Sequence, residues 1–235
     1  MKILLLLLVL PIGGGMEVKM KTFHECELKL KISDQKLKET IMNRMQNNGY
    51  IKSSQSTETD YILDTEKKDF DKQLFRVRKY SSKEVEDLIF TIKIKGKSKI
   101  FQDNMEYEIC ASECKNGDAE NMKAIVKNLT GIAIPEKVFF EKDVSEVLNT
   151  LEKFGFYIKR VIQKRRDEYI GENAKIMFDI FPEPVGIYLE IEAGSEKILE
   201  EEVKRIGVEN FALEKRNYGQ IIRETTNGKN RLLFD

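Results

Sequence analysis

The chain has 235 residues, 41% of them apolar, which is enough for one large domain or two small ones with a true core. Lys plus Arg and Asp plus Glu each number 40, which excludes a global field drawing the protein to nucleic acid or an anionic membrane; neither partner is expected. One histidine, His24, and three cysteines, Cys26, Cys110 and Cys114, argue against His-dependent triads, a disulfide framework and a zinc centre, and the odd thiol count suits a reducing, cytoplasmic setting.

In chain order, Lys2 and the apolar run Ile3 to Leu10 have the layout of a signal peptide's first two regions. The run is too short to span a bilayer, which takes about 20 residues. No A-x-A cleavage site follows it. Residues 1–19 are therefore read as a leader, disordered or non-native, with Met16 or Met20 as alternative starts. A single domain is expected over 20–235.

The stretch FHECELKLKI, Phe23 to Ile32, alternates with a period of two and predicts a strand. Ser33 or Asp34 caps a helix carrying Leu37, Ile41, Met42 and Met45, which stops at Asn48-Gly49. From Tyr50 to Ile109 the runs YIKSSQ, TDYILDT, LFRVRKY, LIFTIKIKG and MEYEICA predict an antiparallel meander. A helical insertion is expected near 115–135, with the possible role of a lid over a substrate opening, and DVSEVLNTLEKFG predicts another helix. Strands return in FYIKRVIQKRRDEYI, AKIMFDIF and VGIYLEIEA before the helix SEKILEEEVKRIG.

The charged residues on these strands fall in rows. Glu25, Glu27 and Lys29 share a face; so do Arg76 and Arg78, Thr91, Lys93 and Lys95, Glu106 and Glu108, Lys164, Arg166 and Glu168, and Glu190 and Glu192. A sheet with one solvated face gives alternation of this kind, and so does a closed barrel with a charged interior and helices outside. Carboxylates at i and i+2 stand about 6.6 Å apart and repel by roughly 2.5 kcal/mol at an effective dielectric near 20. Inside a barrel that repulsion calls for a divalent cation with oxygen ligands, Mg²⁺ or Mn²⁺, and the basic rows call for an anion rich in oxygens. A metal-chelated triphosphate satisfies both.

The ordered set resembles the CYTH superfamily of triphosphate tunnel metalloenzymes. Glu25-Cys26-Glu27-Leu28-Lys29 is similar to its E-x-E-x-K opening motif. The similarity runs on through Asp60 to Asp64, Arg76-Val77-Arg78, Thr91-Ile92-Lys93 with Lys95-Gly96, Glu106-Tyr107-Glu108, Lys164-Arg165-Arg166 with Tyr169, Asp179 and Glu190-Ile191-Glu192. The resemblance implies an α+β fold, an eight-stranded antiparallel β-barrel forming a tunnel flanked by helices. It also implies one or two Mg²⁺ or Mn²⁺ ions on Glu25, Glu27, Asp179, Glu190 and Glu192, and catalysis centred on Glu27 and Lys29. Lys29, Arg76, Arg78, Lys93 or Lys95, Glu106, Glu108, Lys164, Arg166 and Lys215 would line the substrate site.

The implied partner is a small molecule bearing a triphosphate, handled by a monomer or homodimer. Hydrolysis of tripolyphosphate or of an organic triphosphate is the leading expectation. A class IV adenylyl cyclase is the second, supported by the K-x-R-x-x-Y spacing of Lys164, Arg166 and Tyr169, and a non-catalytic polyphosphate-binding or nucleotide-binding module is the third.

Overall fold

A computed structural model describes residues 21–95 and 102–235, with side chains described for 26–95 and 105–235. The expected leader and Gly96 lie outside the described residues. The strands are β1 (Lys21–Ile32), β2 (Ile51–Thr65), β3 (Leu74–Ser82), β4 (Glu86–Lys95), β5 (Gln102–Cys110), β6 (Phe156–Ile170), β7 (Ala174–Ile180), β8 (Ile187–Ala193) and the short β9 (Arg231–Leu232). The helices are α1 (Gln35–Asn47), α2 (Asn116–Thr130), α3 (Val144–Lys153), α4 (Glu196–Arg205) and α5 (Tyr218–Thr225), with a 3₁₀ turn at Glu136–Phe140.

The sheet runs in the order β2-β3-β4-β5-β1-β8-β7-β6, and β6 pairs back onto β2. That last pairing is antiparallel and long, from Ile51 opposite Ile170 to Thr65 opposite Phe156. Eight antiparallel strands thus close into a barrel, which leaves no open sheet edge among them. Register shifts at Lys52/Ser54 and Ile62/Leu63 on the β2–β6 pair are the local irregularities that let so long a ribbon bend. The two runs expected as separate strands between Tyr50 and Thr65 are one strand, because the polar stretch joining them, Ser56 to Glu58, stays paired to β6.

The apolar residues of the alternating strands point outward, where helices cover them. Phe75, Val77, Phe90, Ile92 and Ile109 on β3, β4 and β5 pack under Ala119, Met122 and Val126 of α2 and Val147 and Leu151 of α3. Phe90 meets Phe139 edge-on at 5.1 Å between ring centroids. The insertion expected as a possible lid is therefore part of the outer wall: its apolar stripe is consumed by the barrel side. On the other flank Leu28, Leu30, Ile32, Ile176, Phe178, Leu189 and Ile191 pack under Ile41 and Met45 of α1 and Leu199 and Val203 of α4. Side-chain caps fix where these helices start: Asp34 accepts from Leu37 N–H at 2.9 Å, Asp143 from Ser145 N–H at 2.7 Å, and Ser195 from Ile198 N–H at 3.3 Å.

A third apolar cluster sits at one end of the barrel. Ile62, Ile162 and Tyr188 share the strand face of the charged rows, and Ile221, Ile222 and Tyr218 of α5 pack on them with Phe181 and Leu232. The helix was not anticipated from the sequence. Its signal is the capping box of Asn217 and Gln220, in which each side chain accepts from the other's backbone N–H, followed directly by Ile221-Ile222.

Candidate active site: a closed circuit of charge

With the apolar faces turned outward, the charged faces converge on the barrel interior. Each of the eight strands contributes. Starting on β1, Glu27 lies 3.4 Å from Lys29, and Lys29 lies 3.4 Å from Glu190 on β8. Glu190 pairs with Arg166 on β6 at 2.8 Å, and Arg166 with Asp179 on β7 at 2.6 Å. Asp179 reaches Lys164 at 2.7 Å, and Lys164 reaches Glu58 on β2 at 3.4 Å.

The chain of contacts continues without a break. Glu58 pairs with Arg78 on β3 at 2.9 Å, Arg78 with Asp60 at 2.7 Å, and Asp60 with Arg76 at 3.4 Å. Arg76 reaches Glu106 on β5 at 3.6 Å, Glu106 reaches Lys93 on β4 at 3.1 Å, and Lys93 returns to Glu27 at 3.3 Å. Acid and base alternate around the whole circuit: Glu27, Glu190, Asp179, Glu58, Asp60 and Glu106 against Lys29, Arg166, Lys164, Arg78, Arg76 and Lys93. Acids and bases are equal in number, so the repulsion along each row is relieved across the strands before any ligand arrives.

Burial makes these pairings strong perturbers. Burial drives the Glu27 carboxyl up, but Lys93 and Lys29 outweigh it and hold the group at about 2. Glu190 goes the other way: burial, then Glu27 and Asp179, push it up to about 7 against the pull of Lys29 and Arg166. Glu27 and Glu190 are linked through Lys29, which lies 3.4 Å from each. Asp179, fully buried, is held far below the carboxylate range because Arg166 grips it through two nitrogens at 2.6 Å and Lys164 adds a third contact. Arg76 and Arg78 bracket Asp60 with the same result.

The sequence-derived set divides on this geometry. Glu27, Lys29, Arg76, Arg78, Lys93, Glu106, Lys164, Arg166, Asp179 and Glu190 all join the circuit. Asp179 does so as the anchor of Arg166 and Lys164. Glu192 stands in the next layer, 3.0 Å from Lys175, and Glu108 is half-buried beside Glu106 with its carboxyl raised by burial and that neighbour. Lys95 and Lys215 are exposed. Glu25 is a neighbour of Glu27 on the same strand face, and its side chain lies outside the described residues. Glu58 was missed, and Asp60 had been given no role; their E-x-D spacing on a polar strand was the available signal.

The interior has two unlike ends. At one, α5 and its apolar partners form a floor, with Tyr218 under Lys29, whose Nζ is 4.1 Å from the ring centroid. At the other, a cavity of about 280 Å³ is lined by Tyr80, Val85, Ile89, Cys110 and Glu108 among others.

The donor set bears on the implied metal. Among the described residues, no group of three or more His, Cys, Asp or Glu side chains is placed to hold an ion. Two buried carboxyls that share Lys29 as a neighbour, Glu27 and Glu190, nonetheless fit a hard divalent cation, since Mg²⁺ is commonly held by one or two carboxylates with phosphate and water completing its shell. On the anion side, Arg76 Nε and the Tyr218 hydroxyl are buried without any hydrogen-bond partner. Unsatisfied buried donors beside lysine and arginine side chains fit an oxygen-rich anion.

No family model matches the sequence, and no curated protein matches it. Solved structures do. PH1819 from Pyrococcus horikoshii aligns with a TM-score of 0.61 at 19% identity, over 86% of this chain and 99% of that one. An adenylate cyclase candidate from Vibrio parahaemolyticus aligns at 0.55 and 14% identity, over 85% and 97%. HpAC1 from Hippeastrum, an adenylyl cyclase candidate described as having a dominant triphosphatase activity, aligns at 0.54 and 16% identity, over 85% and 95%. At such identities the likeness establishes a shared fold, the closed antiparallel barrel that the resemblance to the CYTH superfamily implies.

Proposed function

We propose that the protein is a metal-dependent triphosphatase that binds tripolyphosphate or an organic triphosphate inside the barrel. The observation that carries this reading is the alternating circuit of buried charge. Its acids and bases are matched in number, and a metal-chelated polyphosphate is the kind of ligand that can enter it without leaving charges stranded. Such a ligand replaces each internal ion pair by two others, with phosphoryl oxygens on the bases and the cation on the acids.

Glu27 and Glu190 would hold Mg²⁺ or Mn²⁺, with Glu25 and Glu192 on the same strand faces beside them. Bound there, the ion supplies neutralisation of phosphoryl charge and acidification of a water. Arg166, Arg78 and Arg76 present fixed planar donors to a phosphate chain, and Lys29, Lys164 and Lys93 add point charges. Asp179 and Asp60 keep those guanidinium groups oriented. The surrounding outer core keeps the site in a low-dielectric enclosure where such contacts count for most.

A second reading, adenylyl cyclisation of ATP, draws support from the Vibrio and Hippeastrum proteins' descriptions and from the cavity at Tyr80, Val85 and Ile89, which offers an apolar wall for a base. Product analysis separates the two. Full-length protein is given Mg²⁺ or Mn²⁺ and then tripolyphosphate or ATP; release of orthophosphate supports hydrolysis. Cyclic AMP with pyrophosphate from ATP replaces it by the second reading, and no turnover of either substrate contradicts both.

A further inference from the structure

The C-terminal segment brings one side chain into the circuit, and it is not the lysine that the sequence pointed to. Tyr218 is the first residue of α5. Three features hold it in place. The Asn217–Gln220 capping box starts the helix. Arg160 on β6 donates to the carbonyl of Gly219 at 2.7 Å, and a Cβ at Gly219 would stand only 2.7 Å from that same nitrogen, so a larger residue there would displace the guanidinium from this contact. The Tyr218 ring also packs on Phe181 and Tyr188, at 4.6 and 5.6 Å between centroids.

What this placement achieves is not explained by packing alone. The Lys29 ammonium sits over the Tyr218 ring at 4.1 Å and the Lys164 ammonium at 5.5 Å, so two bases from separate strands share one aromatic ring. The hydroxyl is buried yet has no hydrogen-bond partner, an arrangement that costs stability and calls for an acceptor. Burial and the neighbouring carboxylates Asp179 and Glu190 keep it protonated, hence a donor.

We propose that Tyr218 forms the closed-end phosphoryl subsite: its hydroxyl donates to an oxygen of the phosphoryl group nearest α5, while its ring holds Lys29 and Lys164 for that same group. The inference rests on the triphosphate reading above and adds a residue and a polarity to it, with the phosphate chain entering end-on toward α5.

The test uses the full chain and inorganic tripolyphosphate, with binding followed by calorimetry and stability by thermal unfolding. Tyr218→Phe removes the hydroxyl and keeps the ring. It is expected to weaken binding by about tenfold or more, as for a lost hydrogen bond to a charged group, while the unfolding midpoint stays equal or rises. Tyr218→Leu removes the ring as well and weakens binding further. A purely structural tyrosine would move affinity and midpoint down together. Wild-type affinity in the Phe variant, or a loss of affinity matched by a drop in midpoint, overturns the subsite. Failure of the wild-type protein to bind tripolyphosphate at all overturns the triphosphate reading, and the subsite with it.

Discussion

Glu27 on β1 and Glu190 on the adjacent antiparallel strand β8 share one base, Lys29, which lies 3.4 Å from each carboxylate. One is held at about 2 and the other at about 7, so near neutrality the pair keeps one proton for part of the population. A divalent cation bound by both must displace that proton.

Affinity for Mg²⁺ should therefore rise with pH through about 7, with proton uptake by the buffer on titration, and Glu190→Gln should remove both effects. Calorimetry in buffers of different ionisation enthalpy reads the proton directly. The linkage to folding has the opposite sign for the two residues. Glu190, raised above its usual 4.5, contributes stability at low pH that is lost as pH climbs from about 4.5 through 7; Glu27, lowered, contributes stability that is lost as pH falls from 4.5 toward 2. An Mg²⁺ affinity that is flat between pH 6 and 8 would contradict the pairing.

Arg166 binds Asp179 through two nitrogens and Glu190 through one. Lysine in its place keeps the charge but cannot reproduce the fork. Arg166→Lys should leave the protein folded and lower turnover of tripolyphosphate by about 100-fold, the scale of losing one preorganised donor to a developing charge. Steady-state kinetics beside a circular dichroism spectrum checks it.

Asp167 lies one residue along β6 and faces outward, where it pairs with Lys38 of α1 at 2.6 Å and Lys52 at 2.8 Å. Asp167→Asn leaves the buried Lys38 uncompensated and should cost about 3 kcal/mol in urea unfolding. Activity per folded molecule should be unchanged. The contrast with Arg166→Lys separates the two faces of one strand.

Met122 on α2 is fully buried against the outer wall. Met122→Ala should cost about 2–5 kcal/mol of stability and leave KM as it is. A lid would show the reverse, a shifted KM with little change in unfolding.

Much of this was legible in the sequence because a period of two is hard to disguise. The rows at Arg76-x-Arg78 and Glu190-x-Glu192 carry both the strand assignment and the sign of each wall, and a closed barrel turns like-signed rows into neighbours. The cross-strand partners were not legible. Whether a row meets cation, anion or another row depends on register, which places Arg166 opposite Asp179 and Asp60 opposite Arg78 and so neutralises what had looked like open demand for ligand. Tyr218 was obscured by Lys215 three residues earlier: a capping box and two isoleucines hold α5 at the barrel end, and that contact is tertiary.

The most direct measurement is a crystal structure of the protein soaked with Mn²⁺ and a non-hydrolysable triphosphate, collected at the manganese absorption edge. The account predicts anomalous density inside the barrel within coordinating distance of Glu27 and Glu190, and phosphoryl oxygens on Arg166, Arg78 and Lys29. A barrel interior whose ion pairs persist unaltered, with the ligand bound on the outer surface, would contradict it.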